Sequence, residues 1–388
     1  MNILFICDFY PQYGAKVVKE LVHKLLQKRK GIIEDIYILS NSAGIYNNKF
    51  HTKREKNVVR VSSFSILPKV NYTISPFSIY KIKKLIQKLK PSLVHIHFLI
   101  YWNSLVGAFM SKVAHISSII TLHGFTHPSE TNSAYYSFLL ALYYKIFGNK
   151  ILKNADAVTA VSLNTLDKVT SYFPEIPLHK FNYIPNGVDT EKFQSLKDDS
   201  EKIELRRKLG LPVDHFLVIY VGRLEVEKGV LDLLKVANLM DKEHSDIKFL
   251  FIGNGSLKRY IKDYQKNHKN VIYFDYRDPY PYLAASDVFV LPSFREGFST
   301  SFLEAVSSGL PFISTYVGGV DDFLRRGGEG IIVSRGDINS IMKSILLLRD
   351  NYKEWKKVAI GNRRIVEKYF SLDVVAEMYK ELYTRICE

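Results

Sequence analysis

Cysteine is scarce in this chain of 388 residues, and Cys7 and Cys387 are the only two. A framework of several disulfides is therefore excluded, as is a zinc site built on regularly spaced cysteines. Such low cysteine usage is typical of proteins in a reducing compartment. We therefore expect a cytoplasmic location.

Long apolar runs are missing as well. No segment approaches the roughly 18 consecutive apolar residues that a membrane-spanning helix needs. The first segment, MNILFICDFYPQYG, has no basic residues before its apolar run, and that run ends at Asp8. This is not the pattern of a signal peptide. We therefore expect neither a transmembrane helix nor a cleaved leader.

Acidic residues are few in the first half of the chain. Residues 1–186 contain 23 Lys and Arg against nine Asp and Glu, whereas residues 187–388 contain 31 against 30. Nearly all of the net charge of +15 therefore lies in the first half. Such an excess predicts an anionic partner: nucleic acid, an anionic membrane surface or a phosphate-bearing substrate. Solubility alone is the other explanation.

The remaining composition is that of a globular protein, with 47% hydrophobic residues, enough for two cores. Short apolar runs alternate with amphipathic segments in both halves, which indicates parallel sheets covered by helices on both faces. We predict an α/β fold of two Rossmann-like, doubly wound domains that face each other across a cleft. The predicted strands are 2–7, 36–39, 58–61, 93–97, 117–122 and 157–161 in the first half, and 216–221, 247–252, 271–274, 288–291, 312–314 and 331–333 in the second.

A domain boundary is expected near Asn186-Gly187, a dipeptide that favours tight turns. The polar stretch Ser195–Glu201 that follows is predicted to be a loop. We therefore place one domain at 1–186 and a second at 187–370. A final helix at 371–388 is predicted to pack back on the first domain.

Three predicted helices of the first half have unusual surfaces. One helix begins near Ala15 and a second covers Ile79–Leu89, and both have lysines along their outer faces. The segment Ala134–Phe147, AYYSFLLALYYKIF, is apolar or aromatic nearly all round. Burial is the favoured interpretation of such a helix, and insertion into a membrane interface is the alternative.

One loop of the second half has residues suited to a diphosphate. The segment 222–229, GRLEVEKG, follows a predicted strand and precedes a helix. Glycine lets the backbone approach a ligand, and a helix N-terminus favours anions. Arg223 can bind a diphosphate through two parallel hydrogen bonds, and Lys228 can bind it as a point charge. A basic loop that is merely solvated is the alternative interpretation. Gly253-Asn254-Gly255 is a weaker signal of the same kind.

A second candidate segment runs from Ala285 to Gly319 and contains two glutamates with seven residues between them. The segment is predicted as strand, loop, helix, strand and glycine loop, the unit that builds a parallel sheet. Glu296 falls in the loop after the strand, where open α/β sheets bind ligands, and Glu304 falls inside the helix. Carboxylates there can accept hydrogen bonds from sugar hydroxyls. Surface glutamates without a function are the alternative.

Taken together, these motifs resemble the GT4-type family of retaining glycosyltransferases with the GT-B architecture. The matching pieces are the G-R-x-x-x-x-K-G loop, the E-G-F-x-x-x-x-x-E segment with the Gly309-Leu310-Pro311 that follows, the pair Gly318-Gly319, and the segment 185–189, PNGVD. They cover most of the second domain and the entry to it, in the order that the family has.

The resemblance implies roles for individual residues. Arg223 and Lys228 would bind the donor diphosphate and stabilise its developing charge without a metal or other cofactor. Glu304 would bind the ribose and Glu296 the donor sugar. His123, in Thr121–Gly124 after a first-domain strand, matches the family histidine that reaches the sugar across the cleft. The remaining donor-binding candidates are Gly222, Gly14, Gly318, Gly319, Phe298 and Ser299.

The first glycine loop departs from the family pattern. Many members have a Gly-Gly pair there, whereas this chain has Tyr13-Gly14-Ala15. Gly14 keeps one permissive position, and the family's acceptor or phosphate contacts at this loop are not carried over to the chain. His95 and His97 lie on one side of a predicted strand, and we interpret them as core or cleft wall.

The function that the resemblance implies is hexosyl transfer from a nucleotide sugar of UDP or GDP type to a glycan. The basic first half favours a lipid-linked acceptor at the inner face of the cytoplasmic membrane, as in bacterial surface polysaccharide biosynthesis. The alternatives are a sugar-nucleotide epimerase or phosphorylase of the same fold, a glycosidase that uses Glu296 and Glu304, and a basic nucleic-acid-binding protein.

Overall fold

The computed structural model describes residues 1–8, 16–28, 32–41, 57–67, 72–131 and 133–388. They form two compact units. The first comprises Met1–Asn186 together with Leu372–Glu388, and the second comprises Gly187–Ser371. Each unit is built on its own parallel sheet.

The first unit contains a seven-stranded parallel sheet with the order β3-β2-β1-β6-β7-β8-β9. Two further strands, β4 and β5, form a separate antiparallel pair. The strands are β1 (Asn2–Ile6), β2 (Asp35–Asn41), β3 (Val58–Val61), β4 (Phe64–Leu67), β5 (Tyr72–Ile74), β6 (Leu93–His97), β7 (Ser117–Leu122), β8 (Ala157–Ala160) and β9 (Phe181–Tyr183).

Helices cover both faces of this sheet. Successive side chains of a strand point to opposite faces, and in β1 both sets are buried, because Ile3 and Phe5 belong to one core cluster and Leu4 and Ile6 to the other. The apolar run of β1 is continuous in the sequence because both faces of this strand are buried. The helices are α1 (Lys16–Gln27), α2 (Ser78–Leu89), α3 (Trp102–Val113), α4 (Ala134–Tyr143), α5 (Asn149–Asn154) and α6 (Leu163–Tyr172).

The expected burial of the aromatic segment is wrong. Helix α4 has no buried residue, and Tyr135 and Phe138 are each 65% exposed. A π-helical turn, Tyr144–Gly148, joins α4 directly to α5. Leu140 and Tyr143 of α4 are partly buried against the core, and Tyr144 is the first residue of the segment that is fully buried. Because α4 is apolar on every side, its sequence contains no periodicity that would indicate which face is covered.

The second unit contains a six-stranded parallel sheet with the order β12-β11-β10-β13-β14-β15. The strands are β10 (Phe216–Val221), β11 (Ile247–Ile252), β12 (Val271–Phe274), β13 (Val288–Leu291), β14 (Phe312–Thr315) and β15 (Ile331–Val333). The helices are α7 (Asp199–Leu209), α8 (Val230–Met240), α9 (Lys258–Asn267), α10 (Tyr280–Ala285), α11 (Thr300–Ser307), α12 (Val320–Leu324), α13 (Ile338–Asp350) and α14 (Tyr352–Tyr369).

The predicted loop at 195–201 is partly helical, because α7 begins at Asp199. The carboxylate of Asp198 accepts a hydrogen bond from the Glu201 amide at 2.9 Å and so caps this helix. Arg206 of α7 is buried and donates to Asp287, with 2.6 Å between Nη2 and Oδ2. This ion pair attaches α7 to the start of β13.

The last helix, α15 (Leu372–Cys387), belongs to the first unit. Val375, Ala376 and Tyr379 are buried in the same core cluster as β1 and α1. Lys24 of α1 forms an ion pair with Asp373 at 2.8 Å. Within the described segments, no helix combines the length and the apolar character that crossing a membrane requires.

A buried polar network lies at the carboxyl end of β1. Asp8 is fully buried, and its Oδ1 accepts hydrogen bonds of 2.9 Å from the side chains of Asn41 and Asn103. Its Oδ2 has no partner within the described ranges. Burial raises the pKa of Asp8 to about 7, although the two amide hydrogen bonds act in the opposite direction.

This raised pKa predicts a stability that falls as the pH rises. The unfolded carboxyl ionises near its ordinary pKa of 3.8, whereas the folded one holds its proton up to about pH 7. The contribution of Asp8 to the free energy of unfolding is therefore lost progressively between these values, by up to about 4 kcal/mol. Asp8→Asn, which mimics the neutral acid, removes this loss. Urea unfolding of both proteins from pH 5 to 8 tests the prediction, and parallel profiles would contradict it.

Candidate active site

The candidate residues of the second unit collect at the carboxyl edge of its sheet. The chain order reverses between β10 and β13, since β11 and β12 lie on one side of this pair and β14 and β15 on the other. Ligands of open α/β sheets bind at such a switch point. The loop 222–229 follows β10 and the loop 292–299 follows β13, so both predicted motifs border it.

Lys228 and Glu296 form a partly buried ion pair at this point. Lys228 Nζ lies 2.8 Å from Glu296 Oε2, and the two side chains are 10% and 13% exposed. The ammonium also donates to the carbonyl oxygen of Arg295 at 3.1 Å, and Ser293 Oγ donates to Glu296 Oε1 at 2.9 Å. The two motifs are thus one site, in which a carboxylate and a backbone carbonyl oxygen hold the lysine in place. Ser293 is a part of the site that no sequence motif indicated.

Arg223 lies at the outer rim of the same loop. Its side chain is 59% exposed and pairs with Glu227 at 2.7 Å. The backbone of Arg223 is held by the core, because the hydroxyl of buried Tyr220 donates a hydrogen bond of 2.7 Å to the carbonyl oxygen of Arg223. Burial raises the pKa of Tyr220 well above its usual range, so this hydroxyl keeps its proton. The guanidinium is free to change partner at little cost, since an exposed pair contributes little stability.

Glycines allow the loops to approach one another. A Cβ on Gly229 would lie 2.0 Å from the carbonyl oxygen of Pro292, and one on Gly318 would lie 2.3 Å from that of Gly297. Gly229 also has φ of +67° and precedes α8, whose N-terminus favours an anion. A Cβ on Gly253, which belongs to the weaker Gly-Asn-Gly motif, would lie 1.8 Å from the carbonyl oxygen of Gly222. These glycines serve close packing between backbones.

The clash at Gly229 predicts a loss of ligand binding on substitution. Gly229→Ala is expected to displace the loop 292–297 and weaken binding of a nucleoside diphosphate by at least about tenfold. Gly210→Ala is the matched control, because Gly210 has a similar φ of +65° but a methyl group added there would have no atom within 4 Å. The two substitutions therefore differ only in the steric clash that the added methyl group causes at Gly229. Equal binding by both variants in calorimetry would contradict the prediction.

The remaining second-unit candidates lie around the start of α11. Ser299 caps this helix, since its hydroxyl accepts from the Phe302 amide at 3.3 Å. Gly319, with φ of +87°, lies against the ring of Phe298, which is 7% exposed. Glu304 is 3% exposed inside the helix. A buried carboxylate is costly unless it has partners, so Glu304 is not a mere surface residue.

His123 lies at the end of β7 in the first unit, in a group of aromatic rings. Its Nε2 is 2.9 Å from Nδ1 of His97, at the end of the neighbouring β6, and the two rings are stacked. His95 is fully buried and bonds to Tyr383 and Thr121, as expected for a core residue. Burial lowers the pKa of His123 to about 4 and that of His95 to about 3, so both are neutral at pH 7.

The structure therefore brings together Lys228, Glu296, Gly222, Gly318 and Gly319 around one switch point, with Arg223 at the rim. Glu304, Phe298 and Ser299 belong to the adjoining helix and its first turn. Gly14 lies outside the described residues.

Both halves of the chain match known glycosyltransferase families. Residues 15–192 match the family described as Glycosyltransferase Family 4, and residues 201–364 match the family described as Glycosyl transferases group 1. The first region contains every strand of the first unit except β1, and the second contains all six strands of the second sheet.

Two individual relatives share about 30% of their residues with this chain over the regions that match. The Escherichia coli enzyme named UDP-Gal:alpha-D-GlcNAc-diphosphoundecaprenol alpha-1,3-galactosyltransferase is 28% identical over 79% of this chain and 78% of its own length. The capsular polysaccharide biosynthesis glycosyltransferase CapM of Staphylococcus aureus is 30% identical over 51% of this chain and 52% of its own. The chain thus spans about half the length of CapM.

Solved structures agree on the fold. A crystal structure of Anabaena Alr3699/HepE in complex with UDP has a TM-score of 0.78 and 17% identity, covering 99% of this chain and all of that one. The prediction of two parallel-sheet units of the GT-B type is confirmed. Because the two family matches account for both units and the fold agrees, the chain belongs to the GT4-type family of glycosyltransferases.

Proposed function

We propose that this protein transfers a hexosyl group from a UDP- or GDP-type nucleotide sugar to a glycan, with retention of configuration and without a metal. The observation that carries the proposal is the Lys228–Glu296 pair at the switch point of the second sheet. It combines a fixed cation, a carboxylate and closely packed glycine loops beside a helix N-terminus. This combination suits a diphosphate joined to a sugar.

In the proposed reaction the bond between the anomeric carbon and the diphosphate oxygen breaks. The leaving diphosphate gains negative charge, which Lys228 and Arg223 stabilise from fixed positions. An acceptor hydroxyl forms the new glycosidic bond on the face that the diphosphate leaves, and its proton passes to a diphosphate oxygen. An ammonium has three donors, so Lys228 can keep its bonds to Glu296 and Arg295 while it binds a phosphate oxygen.

The carboxylates bind hydroxyls in this mechanism. Glu304 is assigned to the ribose and Glu296 to the transferred sugar, while His123 binds a ligand oxygen. Glu296 is already engaged on both oxygens, by Lys228 and Ser293. A carboxylate with two oxygens has about four acceptor positions, so it can accept a sugar hydroxyl in addition. A glycosidase would leave the cations of this site without a role.

Two assays test the proposed activity. A thermal-shift screen with UDP, GDP, ADP and their sugars identifies the donor, since ligand binding raises the apparent stability by mass action. The stabilising donor is then incubated with and without lipid-linked or soluble glycans. Transfer with retained anomeric configuration in the presence of a chelator supports the proposal. Conversion of the donor in the absence of an acceptor would identify an epimerase. Inversion of the anomeric configuration would refute the proposed retention, and loss of activity with the chelator would refute the proposed independence of a metal.

We further propose a lipid-linked acceptor at the inner membrane surface, because one side of the first unit suits an anionic interface. Helices α2, α3 and α5 pack side by side and contribute to the same core cluster. We call the exposed apolar residues and lysines on and next to these three helices, and on α4, which the π-helical turn joins to α5, the aromatic-lysine face. Its exposed apolar residues are Phe77, Ile79, Tyr80, Phe109, Val113, Tyr135, Phe138, Leu142, Ile146 and Phe147, and its exposed lysines are Lys81, Lys83, Lys84, Lys88, Lys112, Lys145, Lys150 and Lys153.

Aromatic rings and lysines together favour the interface of an anionic bilayer. The double substitution of Tyr135 and Phe138 by serine is expected to lower partitioning onto vesicles with anionic lipid by about tenfold, because both rings lose apolar burial. Substitution of Leu239 and Tyr260, each 53% exposed in the second unit, is the matched control. Co-sedimentation at low salt measures both. Equal loss in the two double variants, or no binding by the wild type, would contradict this assignment.

A further inference from the structure

A single hydrogen bond joins His97 to His123, and the position of its proton determines what His123 can offer a ligand. Nδ1 of His97 and Nε2 of His123 are 2.9 Å apart. Burial lowers the pKa of His123 to about 4 and that of His97 well below its ordinary value, so at pH 7 each neutral ring carries one proton. Either His97 donates from Nδ1, or His123 donates from Nε2.

The other nitrogen of His97 distinguishes the two arrangements. His97 is fully buried, and its Nε2 has no hydrogen-bond partner in the part of the chain that the structure describes. If His123 donated, the proton of His97 would be on Nε2, as a buried N–H without an acceptor. Such orphaned donors are rarer in proteins than acceptors that receive no bond. Donation from His97 is therefore favoured, and it leaves the proton of His123 on Nδ1.

The neighbouring backbone holds the ring of His123 in one orientation. Phe98 directly follows His97 and has φ of +73°, an uncommon value for a bulky residue. The strained conformation places the Phe98 ring 4.7 Å from that of His123, and the Phe98 ring in turn packs edge-on against Tyr101. Backbone strain of this kind persists where the surroundings fix it, and it clusters at binding sites.

We propose that His97 and Phe98 are positioning residues that fix His123 as the tautomer with its proton on Nδ1. His123 then presents a hydrogen-bond donor, and the group it recognises is an oxygen that accepts, such as a sugar hydroxyl. His123 is partly exposed, and because His97 occupies its Nε2, Nδ1 is the nitrogen left to bind a ligand. The sugar as ligand rests on the proposed function, whereas the tautomer does not.

Nitrogen NMR tests the tautomer without any assay of activity. The full chain is labelled with ¹⁵N-histidine, and His123→Gln identifies the signals of His123. The expected result at pH 7 is a protonated Nδ1 and an unprotonated Nε2 in His123, together with a protonated Nδ1 and an unprotonated Nε2 in His97. A proton on Nε2 of His123, or rapid exchange between both tautomers, would overturn the proposal.

Two variants of His97 separate positioning from a structural role. His97→Phe keeps a planar ring but removes the donor, whereas His97→Asn keeps an N–H near the place of Nδ1. His97→Phe is expected to mix the tautomers of His123 and lower kcat/KM about three- to tenfold, the effect of one hydrogen bond. His97→Asn is expected to rescue both readouts in part. Equal melting losses in both variants with an unchanged tautomer would show a structural role only. If no donor is ever transferred, the proposed function fails while the NMR result still decides this inference.

Discussion

Lys228→Met is expected to lower kcat/KM for sugar transfer by about two to three orders of magnitude. The ammonium is held by Glu296 and by the carbonyl oxygen of Arg295, so its position is set before a donor arrives. Removing one fixed group that stabilises developing charge typically costs a factor of about 10² to 10³. Methionine keeps much of the apolar stem, so the substitution mainly removes the charge.

The matched control for Lys228 is Lys235→Met. Lys235 lies in α8 of the same unit, pairs with Asp232 at 3.2 Å and is 61% exposed. Its substitution removes the same charge and is expected to leave the rate within a factor of about two. Rates are measured at saturating and at low donor. An equal fall in both variants would mean that net charge, and not the fixed position of Lys228, supports transfer.

Asp287→Ala is expected to reduce the free energy of unfolding by about 3 to 5 kcal/mol. Asp287 accepts bonds of 2.6 Å from Arg206 Nη2 and from the Leu217 amide, and it also pairs with Lys202. Removing the carboxylate leaves a buried guanidinium and a mostly buried ammonium without their counter-charge. Breaking one side of a buried pair costs this much because the remaining charge stays desolvated.

The pH dependence of Asp287 has the opposite sign to that of Asp8. Burial alone would raise the pKa of Asp287, but Lys202 and Arg206 hold it below its ordinary value. Its contribution is therefore complete above about pH 4 and is lost as the pH falls through the lowered pKa. Urea unfolding at pH 7 compares Asp287→Ala with Asp263→Ala, whose exposed carboxylate pairs with Lys266. A difference below about 1 kcal/mol between these variants would refute the assigned role.

The sheets could be predicted from the sequence because each strand depends on local patterns. All six predicted strands of the second half are present, since runs such as Phe216–Val221 are buried on both faces and bounded by turns. The glycine loops and the segment with Glu296 were also identifiable. Their positions follow from a general rule, that ligand loops lie at the carboxyl ends of parallel strands.

Long-range side-chain pairs could not be predicted in this way. Lys228 and Glu296 are far apart in the sequence, and nothing local indicates that their charges meet. The pattern of β6 predicts only that His97 is part of the core or of a cleft wall, because the register of β6 and β7 that brings it to His123 is not visible in either strand alone. The exposure of Tyr135 and Phe138 does not follow from the sequence, because a segment that is apolar on every side does not indicate which of its faces is covered.

Calorimetric titration of a nucleoside diphosphate tests most directly the claim that the Lys228–Glu296 site holds the donor diphosphate. UDP, GDP and ADP are each titrated into the wild type, Lys228→Met and Lys235→Met at the same ionic strength. We expect at least one of them to bind the wild type and Lys235→Met with equal affinity, and to bind Lys228→Met at least about tenfold more weakly. Binding that is undiminished in Lys228→Met, or absent for all three nucleotides in the wild type, would refute the claim.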